Sequence, residues 1–236
     1  MPGIFDIASF DMIPWGNAYF NGTSGDQSYC QTKNEPPACN SRNGRSLWLD
    51  KCGATAPNPL PKVCWEGVAL CQHGPNECKA NLLENCAIQM YPDPDQTSQE
   101  RYPEFWDIVA CYENTTIGRD PILNASVPID NMRDCMAKLG YSEKGMRQLE
   151  ECAEGETGKD YEQNAASRTA SSSKGHGGTP YITVDGHPTS ARDVLREVCQ
   201  RYRGDLQALP LACFDLRLPA GDPQASPETE SSELAS

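Results

Sequence analysis

The sequence lacks any long apolar run, since nowhere in its 236 residues do about 18 consecutive apolar side chains occur. A bilayer-spanning helix needs such a run, so we expect no membrane insertion. Positive charge is also scarce, because 20 Lys and Arg stand against 33 Asp and Glu, for a net charge of −13. Nucleic acids and anionic membrane surfaces require a basic contact surface, and we exclude both as partners. The oligomeric state stays open.

A secretory signal peptide is not evident either. Such a peptide has a basic segment followed by an apolar run of roughly 7–15 residues. Residues 1–11 contain two acidic residues, no basic residue and no such run. The cysteines and sequons described next indicate the secretory pathway, so we expect the start of the protein to lie upstream of Met1.

Cysteine, in contrast, is abundant. An even number in a loop-rich chain predicts up to six disulfides formed in an oxidising compartment, with a connectivity that the sequence leaves open. Three N-x-S/T sequons, at Asn21, Asn114 and Asn124, predict a glycoprotein of that compartment, either lysosomal or extracellular. The twelve disulfide candidates are Cys30, Cys39, Cys52, Cys64, Cys71, Cys78, Cys86, Cys111, Cys135, Cys152, Cys199 and Cys213.

The N-terminal quarter divides into a strand and an insertion. Apolar and polar residues alternate in residues 8–14, which predicts a half-buried strand, and residues 14–17 (Pro-Trp-Gly-Asn) predict a turn. Residues 19–63 show no periodicity and are rich in cysteine. We interpret them as a loop insertion held by its own disulfides, because structureless loops of this length are unusual in compact domains.

The rest of the chain is helical and then mixed. A later strand, residues 179–186, ends in the Asp-Gly turn of a hairpin, and a helix capped near Ser190 follows and stops at Gly204. The final residues lack aromatics and predict disorder. Apolar residues recur with helical spacing in five stretches before that strand. These predicted helices cover residues 76–90, 104–112, 130–139, 142–155 and 158–170.

This order of elements is that of the second half of an α/β, thioredoxin-like fold with a helical insertion. The first strand and helix of that fold are not represented. The predicted organisation is a strand and turn in 1–18, the Cys-rich insertion in 19–63, a helical region in 64–170, the Thr-Pro, strand, turn and helix in 171–215, and a disordered acidic tail in 216–236.

The most specific stretch of the sequence runs from Cys71 to Cys86. It resembles the signature C-Q-H-G-x-x-E-C-x-x-N-x-x-x-x-C of the gamma-interferon-inducible lysosomal thiol reductase family. Residues 14–18 (Pro-Trp-Gly-Asn-Ala) are similar to that family's V-P-Y-G-N-A, and the resemblance covers roughly residues 8–204 apart from the insertion. The matched signature positions are Cys71, Gln72, His73, Gly74, Glu77, Cys78, Asn81 and Cys86.

The resemblance implies a thiol–disulfide oxidoreductase that reduces disulfide-containing protein substrates in an acidic endolysosomal compartment, without a cofactor. It also implies a C-x-x-C dithiol at a helix N-terminus, where the pKa of the first thiol is lowered. No C-x-x-C occurs in these 236 residues, so the sequence contains no catalytic residue of this kind. The family places the motif about 25 residues before the Pro14 turn, and we expect it upstream of Met1.

One further element of an active site is implied by the resemblance. Thioredoxin-like proteins place a cis-proline beside the dithiol, and Thr179-Pro180 occupies the corresponding position. We expect its exposed backbone to pair with an extended substrate strand. The alternative is a trans proline that opens an edge strand.

Two alternatives remain for the signature and for the chain. His73 with Cys71 and Cys78 could bind a metal, but the spacing matches no common zinc pattern, and we expect a structural His73 and no metal. Cys78 and Cys86 lie two helical turns apart and must each find another partner. The whole chain could also be a secreted, disulfide-stapled binding protein without redox activity, using the insertion for recognition.

Overall fold

The computed structural model describes residues 3–23, 25, 42–91, 103–116, 127–172, 178–205, 207 and 209–217. They belong to two units, Phe10–Tyr181 and a smaller one that joins Met1–Ser9 to Ile182–Ser236. Helix dominates the described residues, where β-structure is limited to one two-stranded sheet in each unit. The structure is therefore mainly helical with small sheets, and the thioredoxin-like topology stays a prediction.

Six α-helices, two strands and two short 3-10 helices, Asn21–Thr23 and Lys62–Trp65, lie in the described part of the larger unit. All five helices predicted for residues 76–170 are present, and the structure lengthens all but the fourth of them at one or both ends. The elements are β1 Tyr19–Phe20, α1 Arg42–Cys52, β2 Ala69–Leu70, α2 Pro75–Met90, α3 Glu104–Thr116, α4 Val127–Lys138, α5 Glu143–Glu154 and α6 Glu156–Ser172.

Helix α2 is the centre of this unit and packs against α3, α4, α5 and α6. It begins with Pro75, whose missing N–H is harmless in the first turn of a helix. Gly74 precedes it with φ at 99°, a conformation that favours glycine. The apolar face of α2 meets two Met residues of α4, Met132 and Met136, in a buried core that also contains Leu149 of α5.

Two disulfides tie the helices of this core together. Cys86 of α2 is bonded to Cys152 of α5, and Cys111 of α3 is bonded to Cys135 of α4. The prediction that Cys78 and Cys86 do not pair with each other is confirmed. The bonds join residues that are 66 and 24 positions apart in sequence.

A second core lies around β1, β2 and α1. Helix α1 falls within residues 19–63, so the expectation of an aperiodic loop is wrong for its second part. Trp48 and Cys52, four residues apart, share one buried helix face, a short signal among many polar residues. The Trp48 indole donates to Cys64 O at 3.1 Å, and the Cys52–Cys64 disulfide closes the segment on itself as predicted. Cys30 and Cys39 lie outside the described residues.

The predicted strand in residues 8–14 is not formed. These residues have no regular structure up to Pro14, where the predicted turn does occur. A strand needs a hydrogen-bonded neighbour, and no described segment pairs with residues 8–13. The apolar alternation instead reflects single contacts, such as the tilted packing of Phe10 on Trp106 at 5.9 Å between ring centroids.

The smaller unit contains the predicted hairpin and two short helices. Strands β3, Ile182–Val184, and β4, His187–Thr189, pair antiparallel, and Asp185 and Gly186 in the turn both have positive φ. Helices α7, Val194–Arg201, and α8, Leu211–Arg217, are joined by the Cys199–Cys213 disulfide. Helix α8 was not predicted because it is only two turns long, and the predicted tail beyond residue 217 lies outside the described residues.

Candidate functional site

The signature cysteines nearest the start of α2 are bonded to each other. Cys71 follows β2 directly, Cys78 lies in the first turn of α2, and their Cα atoms are 5.5 Å apart. The side chains are 2% and 9% exposed. The disulfide closes a short loop that contains Gln72, His73 and Gly74, so neither sulfur is available as a thiolate, for nucleophilic attack or for a metal ion.

His73 and Glu77 form a local pair at the rim of this loop. The His73 backbone N–H donates to Glu77 Oε2, and His73 Nδ1 lies 3.0 Å from the same oxygen. A carboxylate in the first turn of α2 is also favoured by the helix dipole. The pair orients the loop, which agrees with a structural His73. Among the described residues no three His, Cys, Asp or Glu side chains cluster as metal ligands would.

The other polar signature residues hold the turn at residues 14–17. Asn17 Nδ2 donates to Gln72 Oε1 at 3.0 Å, and Asn81 Nδ2 lies 3.5 Å from Trp15 O. The same Asn81 nitrogen lies 3.9 Å from Cys71 Sγ. The two motifs that the sequence shows separately are therefore one hydrogen-bonded structure.

Asn85, which no motif of the sequence predicted, is part of the same structure. Its Nδ2 donates to Pro14 O and to Asn81 O, both at 2.8 Å, and the residue is 7% exposed. It lies four residues after Asn81 and so on the same face of α2. An asparagine repeated at helical spacing on a buried face is the signal that could have identified it.

The turn also carries an apolar anchor. Trp15 is 1% exposed, stacks on Phe20 with ring centroids 5.4 Å apart, and approaches Trp48 at 6.2 Å. Aromatic packing of this kind stabilises a site beyond the burial of its area. The turn is thus fixed on one side by aromatic rings and on the other by amide hydrogen bonds.

The turn faces the Thr-Pro segment through Gly16. The Thr179–Pro180 peptide bond is cis, which is the geometry that the resemblance implies, and both residues are exposed. Gly16 has φ at 60°, and a Cβ atom there would lie 3.2 Å from Thr179 Cγ2. The structure thus brings the signature, the turn and Thr179 together, while the substrate-binding role of Thr179 and Pro180 stays a prediction.

Two buried carboxyl groups were not predicted from the sequence. Burial raises the pKa of Glu84 on α2 well above its usual range, and hydrogen bonding and charge repulsion from Glu113 raise it further. Burial raises the pKa of Glu162 on α6 to about 7. Both residues lie on the same helix face as buried neighbours, and this position at helical spacing could have identified them as inward-facing.

The sequons differ in their surroundings. Asn114 is exposed near the end of α3, while Asn21 is half-buried and its Oδ1 accepts from Val68 N at 2.8 Å. Asn124 lies outside the described residues. Glycosylation at all three stays a prediction. Within the described part of the chain, no helix has the length and apolar character needed to cross a membrane.

The geometry is that of a disulfide-braced helical protein whose signature is a structural support for a turn. Comparison with known proteins matches residues 66–139 to the model of the gamma interferon inducible lysosomal thiol reductase (GILT) family. The chain is 27% identical over 148 residues to a gamma-interferon-responsive lysosomal thiol protein of Arabidopsis thaliana, covering 61% of this chain and 52% of that protein.

Two further relatives give similar matches. A GILT-like protein of Caenorhabditis elegans is 27% identical over 145 residues, covering 61% of this chain and 38% of the relative. A gamma-interferon-inducible lysosomal thiol reductase of Carassius auratus is 24% identical over 150 residues, covering 61% and 50%. The matched region thus spans about half or less of the length of these relatives. The chain is therefore similar to the gamma-interferon-inducible lysosomal thiol reductase family, and residues 66–139 match the model of that family.

Proposed function

We propose that the protein is a thiol–disulfide oxidoreductase that reduces disulfides in protein substrates, acting in an endolysosomal or extracellular compartment. The dithiol it needs is not among these 236 residues, because no two cysteines stand in a C-x-x-C arrangement. The observation that carries the proposal is the joined structure of the signature and the turn, with Asn17 bonded to Gln72. The residues by which the family is recognised are thereby in mutual contact.

The reaction is two successive thiol–disulfide exchanges. A thiolate attacks one sulfur of the substrate disulfide, forms a mixed disulfide and releases the other sulfur as a thiol after protonation. A second thiolate attacks the mixed disulfide, releases the second substrate thiol and leaves the enzyme dithiol oxidised. The substrate gains two electrons, and two molecules of a small-molecule thiol then reduce the enzyme disulfide and are themselves joined in a disulfide.

The chain's own part in this reaction is binding. Thr179 and Pro180 are exposed, and a Cβ atom on Gly16 of the turn would lie 3.2 Å from Thr179 Cγ2. Backbone groups that are not hydrogen-bonded within a sheet can pair with an extended peptide. We therefore assign these two residues to a substrate groove. The disulfides of the described residues support an oxidising compartment.

The natural transcript, read in frame upstream of Met1, tests this function. We expect it to encode a signal peptide and a C-x-x-C about one helix before Pro14, and its product to reduce a peptide disulfide with multiple turnovers. A product whose C-x-x-C cysteines are both changed to Ser is the matched control. An upstream sequence without any dithiol, or a product that reduces no disulfide, would contradict the proposal.

The binding-protein alternative has one observation in its favour. Every cysteine among the described residues is disulfide-bonded, and none of these bonds joins cysteines three apart. A binder predicts no reactive thiol in the natural protein, while a reductase predicts two after mild reduction. Alkylation with a mass tag at acidic pH distinguishes the two, because only thiols with a lowered pKa react there.

A further inference from the structure

We propose that Asn85 is a positioning residue of this protein, which fixes the turn at residues 14–17 so that Gly16 holds Thr179 in the substrate groove. The inference rests on the proposed function and names a residue outside the family signature. It concerns binding of the substrate polypeptide and not the exchange of sulfurs itself.

The hydrogen bonds of Asn85 make it the strongest support of the turn. Its Nδ2 carries two hydrogens, and both are used, one on Pro14 O and one on Asn81 O at 2.8 Å each. The residue is 7% exposed, so water cannot replace these bonds. Loss of a donor at a buried site leaves an acceptor without a partner, which destabilises the turn.

The turn is held at three of its four residues. Asn85 holds Pro14, Asn81 lies next to Trp15 O, and Gln72 accepts from Asn17. Gly16 is left as the residue of the turn that meets the neighbouring segment. It does so without a side chain, and a Cβ atom placed on it would lie 3.2 Å from the Thr179 methyl carbon. Movement of the turn therefore changes the space beside Thr179 directly.

Asn85 is linked to Gly16 by short, rigid steps. Pro14 has a fixed φ, and only one residue separates it from Gly16. The aromatic packing of Trp15 restricts movement of the turn along the surface of α2. The turn can then move mainly by displacement away from α2. The bond from Asn85 to Pro14 O opposes that displacement.

The substitution Asn85→Asp tests this role, because it keeps the shape of the side chain and replaces the donating NH₂ group by an oxygen. At pH 7.5 the ionised carboxylate repels Pro14 O. At pH 4.5 a protonated carboxyl group can donate one hydrogen to it. Asn131→Asp is the matched control, since Asn131 on α4 has a buried Nδ2 without a hydrogen-bond partner in the described part of the chain.

The assay uses the full natural protein with two substrates, a disulfide-linked pair of unstructured peptides and cystine. For Asn85→Asp at pH 7.5 we expect KM for the peptide substrate to rise about tenfold relative to wild type, from one lost hydrogen bond. We expect kcat to stay unchanged, cystine reduction to be unaffected, and the ratio to wild type to recover at pH 4.5. Asn131→Asp should show no such split between substrates.

Each other outcome has a distinct meaning. If wild type reduces both substrates and Asn85→Asp has unchanged KM, Asn85 does not position the groove. If Asn85→Asp loses activity on both substrates equally at both pH values, its role is only structural, and the inference is wrong. If wild type reduces neither substrate, the proposed function is wrong as well.

Discussion

Asn17 donates to Gln72 through a 3.0 Å hydrogen bond between two side chains 55 residues apart. One lies in the turn at residues 14–17 and the other in the loop closed by the Cys71–Cys78 disulfide. The bond thus explains why a glutamine follows the first signature cysteine. The glutamine side chain accepts the hydrogen bond from the turn, and the disulfide holds the glutamine in position for it.

A double-mutant cycle measures this bond. We expect Asn17→Ala and Gln72→Ala each to lower the free energy of unfolding by about 1 kcal/mol, with a coupling energy of about 1 kcal/mol between them. Urea unfolding of wild type, both single variants and the double variant gives the value. Gln89→Ala, at an exposed position of α2, is the control and should couple with neither. Additive effects of the two substitutions would contradict the bond.

The disulfides should differ in their contribution to stability. Cys86 and Cys152 are 66 residues apart, while Cys71 and Cys78 are 7 apart. In the chain-entropy treatment, removing the first bond costs about 4 kcal/mol and removing the second about 2 kcal/mol. Paired Cys→Ala variants compared by urea unfolding test the order. The opposite order would mean that local packing, and not loop closure, decides their contributions.

Glu162 should make the protein more stable in acid than at neutral pH. Burial raises its pKa from 4.5 to about 7 in the folded state. Between these values the unfolded chain has released the proton that the folded state still holds, so stability falls as the pH rises from about 4.5 to 7. The full loss is present above the folded-state pKa. It amounts to about 3 kcal/mol.

The substitution Glu162→Gln replaces this titratable carboxyl group by an amide that does not titrate. We expect the unfolding free energy of the variant to change less between pH 5 and pH 8 than that of wild type, by about 3 kcal/mol. Glu151→Gln, at an exposed position of α5, is the control and should leave the difference unchanged. The same change in stability between the two pH values in wild type and in Glu162→Gln would show that Glu162 is solvated in solution.

The helices of the larger unit could be predicted because each has a continuous apolar stripe and clear ends. Ser142 illustrates this, since its hydroxyl accepts from Gly145 N at the predicted start of α5. The short elements could not be predicted this way. Helix α1 shows little more than Trp48 and Cys52 on its buried face, and residues 8–13 alternate in polarity without a neighbouring strand.

The signature could be recognised from the sequence, but its physical role could not. That role depends on contacts between Pro14 and Asn85, or Asn17 and Gln72, and long-range pairs of polar residues leave no periodic pattern. The buried carboxyl of Glu84 is similar, because a glutamate on a helix is usually solvent-exposed. Only packing against α3 shows that it is buried beside Glu113.

Substitution of Gly16 by alanine should lower the free energy of unfolding for two separable reasons, the backbone conformation and a steric contact. Its φ of 60° disfavours any side chain by about 1–2 kcal/mol, and a Cβ atom 3.2 Å from Thr179 Cγ2 adds about 1 kcal/mol. Gly140→Ala is the matched control, because Gly140 has φ at 85° but open space around a Cβ atom. We therefore expect Gly16→Ala to destabilise the protein more than Gly140→Ala does.

Adding Thr179→Ser to Gly16→Ala should recover the stability lost through the steric contact, but not the stability lost through the positive φ. Serine lacks the methyl group that the new Cβ atom meets. Thermal unfolding of the four variants measures this, with Thr179→Ser by itself as the reference. The Thr179 methyl resonance should shift in Gly16→Ala and stay in place in Gly140→Ala. Equal losses in the two glycine variants, with no recovery by Thr179→Ser, would mean that the turn and the Thr-Pro segment are not in contact in solution.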